Sequence, residues 1–300
     1  MGHHHHHHHH EISGKNIGIA IILNILITIA EIIGGIITGS VSLLTEALHN
    51  FSDVLSLLLS FFSNKMAKKH ADSKHTFGYK RAEIIATFIN SATLIGIAIF
   101  LIVEAVQRIF HPVPLASDLI IWFSAGSIVA NVLSVLFLQK DAKHSMNMRS
   151  AYLHLLTDVM TSTAILIGAV LMKYFSVFWL DGVLSILIAC YLIYSAYHLL
   201  SESTKILMDF VPEHINIEEI TEQINRINQI KNVHHIHLRQ LAENSVLFEA
   251  HIDVNNDIVI TEFENILLEI EKVLEQYHIH HFTIQPEFLR KDDKKLIHIH

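Results

Sequence analysis

Apolar positions along this chain come first in long unbroken runs and later in short periodic ones. Six runs, at roughly residues 14–38, 42–65, 82–110, 116–139, 149–173 and 178–201, reach the length of about 20 residues that a helix needs to cross the hydrocarbon layer of a bilayer. After residue 205 the pattern changes. "NIEEITEQINRINQI" has the spacing of an amphipathic helix, while "NVHHIHLRQL" and "SVLFEAHIDV" alternate like paired strands around "AEN". "TEFENILLEIEKVLEQY" predicts a second helix and "IHHFTIQPEF" a third strand. The expected fold is an α-helical polytopic membrane protein of six transmembrane helices plus a small C-terminal α+β domain, split-βαβ and ferredoxin-like. The expected divisions are a tag or N-terminal tail over 1–11, a transmembrane domain over 12–204, a cytoplasmic domain over 205–290 and a solvated charged tail over 291–300.

Polar residues inside the runs are not scattered. The second run carries Ser42, Thr45, His49, Asp53, Ser56 and Ser60 at intervals of three and four, which places them on one helical face. The fifth carries Ser150, His154, Thr157, Asp158 and Thr161 on one face, the first Asn24, Thr28, Glu31 and Gly35, and the fourth Ser124, Ser127, Asn131 and Ser134. Four helices striped in this way can turn their polar faces toward a shared, water-accessible interior. The small residues also suit close helix packing. The third and sixth runs are more uniformly apolar and fit lipid or a subunit contact.

Composition narrows the picture. Only 17% of residues are charged and 51% are hydrophobic, as in membrane proteins. The net charge of −8 argues against nucleic acid as a partner. A lone Cys190 inside an apolar run leaves no disulfide framework and no thiolate cluster. Histidine is abundant, with 25 residues, but His3–His10 is an unbroken run that reads as a purification tag. "KMAKKHADSKHTFGYKRAE", "QKDAKHSMNMR" and Lys205 are basic, whereas the opposite connections carry little positive charge beyond Arg108 and Lys173. The positive-inside rule then puts both termini in the cytoplasm.

The histidines and aspartates of the second and fifth runs need a further reason, since an ionisable side chain in the bilayer costs about 2.5 kcal/mol or more. His49-x-x-x-Asp53 and His154-x-x-x-Asp158 each set an imidazole and a carboxylate one turn apart on one face. Two such helices facing each other offer two nitrogens and two oxygens, a set suited to tetrahedral Zn²⁺, with Co²⁺ and similar ions as competitors. Imidazole binds metal only when neutral, and its ordinary pKa is about 6.5, so protons compete with metal near physiological pH. A site of this kind that alternates between two faces exchanges Zn²⁺ for H⁺.

With these two pairs the chain resembles the cation diffusion facilitator family, and within it the zinc transporters with a His-Asp/His-Asp site. Further matching stretches are "LNILITIAEIIGG", "GSVSLLTEALHNFSDV", "HTFGYKRAE" and "NVHHIHLRQL". The resemblance implies a homodimeric Zn²⁺/H⁺ antiporter that exports zinc from the cytoplasm of, given the compact chain, a bacterial cell. It also implies a metal site in the loop after the second span, at Asp72 and His75, although Tyr79 stands where some relatives carry a third ligand, and phenol is a poor zinc donor. Arg81 and Asp209 fall where the family has a charge interlock near the dimer interface. In the cytoplasmic domain His234 and His251 match two zinc-ligand positions, with His235, His237, His280 and His281 nearby, while Gln285 and Glu287 replace others.

Two other readings compete. A membrane metalloenzyme would need an open coordination position and a base, as in H-E-x-x-H, which the sequence lacks; Glu46 is the base candidate near His49. A membrane-anchored zinc sensor would not need ionisable residues buried in two spans. An exporter of Mn²⁺, Co²⁺ or Cd²⁺ with the same architecture is the remaining alternative.

Overall fold

A computed structural model describes residues 14–67, 72–138, 146–242, 245–291 and 293–297. The histidine run and most of "QKDAKHSMNMR" lie outside those residues. Six long helices come first: α1 (Gly14–Thr38), α2 (Val41–Ala67), α3 (Arg81–Phe110), α4 (Ser117–Leu138), α5 (Met146–Phe175) and α6 (Trp179–Leu207). They are followed by α7 (Ile217–Asn225), β1 (Ile230–Ala242), β2 (Ser245–Val254), α8 (Ile260–Glu275) and β3 (His281–Glu287). By length and composition α3, α4, α5 from Tyr152 and α6 can each cross a membrane, and α1 from Ile22 is a shorter apolar helix. Gly39, with a φ of 68°, takes the left-handed conformation that turns α1 sharply into α2. Pro112 and Pro114 keep α3 from running on into α4.

The chain divides into two compact units, Met1–Phe61 with Ile89–Leu199 and Phe62–Phe88 with Leu200–His300. In the first, the usual distribution of polarity is inverted. Ile29, Ile36, Phe100, Val103, Trp122, Ile167 and Leu187 stand exposed, while Glu31, Asn50, Asn131, Asp158, Ser162 and Asp181 are buried. Hydrocarbon is the solvent in which such a surface is stable. Small residues let the helices close on the polar interior: a Cβ on Gly182 would lie 2.5 Å from the Ala105 carbonyl oxygen, so α6 meets the backbone of α3 there.

One buried carboxylate ties the first turn of α2 to α6. Asp181 accepts from Ser40 Oγ at 2.6 Å, Ser42 Oγ at 2.5 Å, the Val41 amide at 2.8 Å and the Ser42 amide at 3.3 Å. These amides are the orphan donors of a helix N-terminus, which also favours negative charge. One turn further in, Thr45 and Ser185 hydroxyls share a hydrogen bond of 2.7 Å.

The second unit contains the α+β domain expected from the sequence. Its three-stranded sheet has the order β1-β2-β3, with β1 antiparallel and β3 parallel to β2. The crossover through α8 therefore joins neighbouring strands, with no strand between them as a split βαβ unit would have. Phe248, Ala250 and Ile252 of β2 pack with Ile220 and Ile224 of α7 and Ile266, Ile270 and Leu274 of α8. The last residues differ from a freely solvated tail. The carbonyls of Lys295 and Leu296 accept from the His235 and Ile236 amides at 3.1 and 2.8 Å. A bulge in β1 between His234 and His237 leaves those two residues outside the ladder with β2, which frees their amides for the tail.

Replacing Asp181 by Ala leaves four donors without their acceptor and lowers stability by about 3 kcal/mol or more. Thermal unfolding in detergent checks this, with the exposed Asp118→Ala, which removes the pair with Lys173, expected to leave the midpoint unchanged. Equal effects from the two variants would contradict the interlock.

Candidate metal centre

Helix α2 carries His49 and Asp53 one turn apart, and α5 carries His154 and Asp158 likewise, so each helix presents both groups from one face. The two faces meet. His154 Nε2 lies 2.9 Å from Asp53 Oδ2 and 3.9 Å from Asp158 Oδ2, and His49 lies 3.4 Å from Asp158 and 3.7 Å from Asp53. The imidazole rings sit edge to face with centroids 5.4 Å apart. Tetrahedral zinc with bonds of about 2.0 Å sets neighbouring ligand atoms about 3.3 Å apart. The observed contacts bracket that value. His49, Asp53 and His154 offer donor atoms all within 4.8 Å of one another, whereas Asp158 lies outside that group, facing the other ring nitrogen of His49, Nε2, at 3.4 Å and His154 at 3.9 Å.

Several polar atoms at the site lack partners within the protein. Both Asp158 oxygens and His49 Nε2 are buried without a hydrogen-bond partner. The ion-pair contacts of Asp53 and Asp158 among the described residues are to the two histidines, not to lysine or arginine. Two carboxylates in a low-dielectric interior call for a cation, and two imidazoles beside them make a divalent metal the fitting one.

The four side chains are unequally exposed. Asp53 and His154 side chains are 27% and 37% exposed, against 9% and 1% for His49 and Asp158. A cavity of about 80 Å³ reaches the site between the C-terminal halves of α2 and α6, lined by Ser52, Ser56, Asn90, Tyr191 and Ser195. Asn90 donates to Ser56 Oγ at 3.0 Å across it. On the other side lie the buried Glu31, which accepts from Asn50 at 2.7 Å and Ser127 at 2.5 Å, and Glu46, which accepts from Ser162. Beyond them is the Asp181 interlock. The sequence marked Glu31 as part of a polar stripe and Glu46 as a candidate base; the structure instead gives both carboxylates hydroxyl or amide partners.

In the loop after α2, Asp72 and His75 are brought together, with His75 Nδ1 at 3.1 Å from Asp72 Oδ1 and 3.2 Å from the Tyr79 hydroxyl. Asp72 also caps its own turn, accepting from the Lys74 and His75 amides at 2.7 Å each. Arg81 Nη2 donates to Asp209, so these two charges do pair.

In the second unit His234 and His251 are cross-strand partners on β1 and β2, and their face also receives Asp253 and Glu287. His234 Nε2 lies 3.3 Å from Glu287, and His251 Nδ1 lies 2.9 Å from it. His235, at a φ of 52° in the bulge, stacks on His251 at 4.3 Å, with His237 edge-on to it at 5.0 Å. His280 and His281 are exposed. Glu287 was foreseen only as a substitution, and nothing in the sequence pointed to Asp253 or Lys294. Lys294 Nζ lies 2.8 Å from Glu287, 2.9 Å from Asp253 and 3.3 Å from His234. The signal for this set is the sheet register, which places residues 251, 253, 285 and 287 side by side.

Comparison with known proteins agrees with this architecture. The chain matches the family model described as the cation efflux transmembrane domain over residues 17–208 and that described as the cation efflux protein cytoplasmic domain over residues 212–288. It is 36% identical over 292 residues to a Bacillus subtilis (strain 168) protein named cadmium, cobalt and zinc/H(+)-K(+) antiporter, across 96% of this chain and 92% of that one. It is 31% identical over 287 residues to zinc transporter ZitB of Pectobacterium atrosepticum, across 94% and 88%. To metal cation efflux system protein CzcD of Cupriavidus metallidurans it is 30% identical over 274 residues, across 91% and 86%.

The Lys74 amide, then the His75 amide, holds the Asp72 carboxyl below its ordinary value. A lowered folded-state pKa means that the turn is fully stabilised above the ordinary value near pH 4 and loses that support as pH falls through the lowered one. Titrating the Asp72 carboxyl by NMR is expected to give a midpoint below about 3.9. A midpoint at or above that value would contradict the capping role.

Proposed function

The chain belongs to the cation diffusion facilitator family, and from that premise we propose that it is a proton-coupled antiporter exporting Zn²⁺ from the cytoplasm through the His49–Asp53–His154–Asp158 site. It is a cation efflux transporter and not an enzyme. The observation that carries the reading is the convergence of two imidazoles and two carboxylates with no lysine or arginine among their ion-pair contacts. The names of its relatives support a substrate range that includes Cd²⁺ and Co²⁺ beside Zn²⁺.

With both termini cytoplasmic, the cavity along α2 and α6 faces the cytoplasm. A cation entering past Ser56 and Asn90 meets the more exposed Asp53 and His154 first, and then closes on the buried His49 and Asp158. The carboxylates compensate its charge, and the imidazoles must give up any proton to bind it. Release on the far side requires the N-terminal ends of α2 and α6 to part, which breaks the Asp181 hydrogen bonds. Protons taken up by the emptied ligands return with the inward-facing state, so metal flows out against protons flowing in. The protein acts as a homodimer in the bilayer of a bacterial cell, without nucleic acid. Its cytoplasmic domain can take a second zinc at His234 and His251, with His235 and His237 beside them, and Asp72 and His75 form a weaker loop site.

Purified protein in liposomes is expected to exchange Zn²⁺ for H⁺ with no partner present, and Asp158→Ala is expected to reduce exchange to background while leaving the dimer intact by size-exclusion chromatography. Exchange at the wild-type rate in that variant would place the transport site elsewhere. His49→Asp exchanges a nitrogen for an oxygen donor and is expected to raise Cd²⁺ flux relative to Zn²⁺ by about tenfold, from the change in ligand chemistry. An unchanged ratio would remove His49 from the coordination shell.

A further inference from the structure

The cytoplasmic histidine cluster differs from the membrane site in one respect: it already holds its positive charges. Glu287 is buried and contacts Lys294 at 2.8 Å and Arg290 at 3.2 Å, and Asp253 contacts Lys294 at 2.9 Å. The Lys294 ammonium also stands 3.3 Å from His234 Nε2. It therefore touches two of the three groups that would hold a metal, His234 and Glu287, and their neighbour Asp253. A zinc ion about 2.0 Å from the same oxygens would lie within a few ångströms of the ammonium, where two like charges repel strongly in a partly buried site.

We propose that the C-terminal segment is a built-in competitor for metal at the His234–His251–Glu287 cluster, with Lys294 occupying the cation position until a divalent ion displaces it and releases the tail from β1. This rests on the reading that the cluster takes zinc. The tail is held by two backbone hydrogen bonds, from the His235 and Ile236 amides to Lys295 and Leu296, and by Leu296 resting against the domain core. Withdrawing the ammonium pulls on the residues next to it, so metal entry and tail release are one event. The consequence is a threshold: the cluster fills only when cytoplasmic metal is abundant enough to outcompete a tethered ammonium at high effective concentration. The signal is local. It converts an ordered segment along an edge strand into a free one.

The test uses the chain freed of the His3–His10 run, in detergent, carrying Asp53→Ala, Asp158→Ala and His75→Ala so that neither the membrane site nor the loop site contributes binding. Zinc titrated by calorimetry is expected to bind Lys294→Met about tenfold or more tightly than the parent, because no charge-assisted contacts to Glu287 and Asp253 have to be broken. Lys294→Arg, which keeps the charge, is expected to bind like the parent, and the signal should vanish with His251→Ala. In the parent, saturating zinc should speed hydrogen exchange at the His235 and Ile236 amides, and a chelator should reverse this. Equal affinities for the parent and Lys294→Met, or zinc binding with unchanged exchange at those amides, would overturn the competition while leaving the metal site standing. No zinc binding in either would overturn the metal reading of the cluster and the competitor with it.

Discussion

The structure turns on charge compensation inside a low-dielectric interior. Two carboxylates, Asp53 and Asp158, face each other's histidines between α2 and α5, and neither is paired with a fixed cation. The other buried acids differ in how far the protein satisfies them, and among the described residues Glu46 has the Ser162 hydroxyl on one oxygen and no partner on the other. Asp181 has four donors, Glu31 has an amide and a hydroxyl, and Glu287 has a lysine and an arginine. Burying a charge without a partner is costly, and two carboxylates beside two imidazoles have the chemistry to take a divalent cation.

The same comparison explains how the site is reached. Hydrogen bonds close the N-terminal ends of α2 and α6, where Asp181 and the Thr45–Ser185 pair bridge the helices. Toward the other end a small polar cavity, lined by Ser52, Ser56, Asn90 and Ser195, reaches the site. An alternating mechanism needs one end shut with bonds that can be broken and the other open, and this arrangement has that form. The hydroxyl-rich closure suits the purpose, because serine and threonine can trade protein partners for water when the helices part.

The six helices and the approach of two His-x-x-x-Asp pairs to each other were legible in the sequence for a physical reason. Ionisable residues are rare in long apolar runs, so two His-x-x-x-Asp pairs stand out, and helical geometry fixes which face each occupies. The interlock was not legible, because Asp181 begins a helix and there looks like an ordinary first-turn acid at an interface. Nor was the strand neighbour relation in the cytoplasmic domain. Alternation identifies strands but not their order, and β3 beside β2 is what aligns Glu287 with Asp253. Lys294 lies in a charged segment whose composition reads as solvated, and its docking depends on a bulge that the sequence does not announce.

The most direct test of the account is X-ray absorption at the zinc edge on the chain freed of the His3–His10 run and carrying His75→Ala, His234→Ala and His251→Ala, so that the membrane site dominates the bound metal. Four light-atom ligands at about 2.0 Å, with the multiple scattering of two imidazoles, is the predicted shell. A six-coordinate oxygen shell, or one without imidazole, would contradict the claim that these two helices hold the cargo.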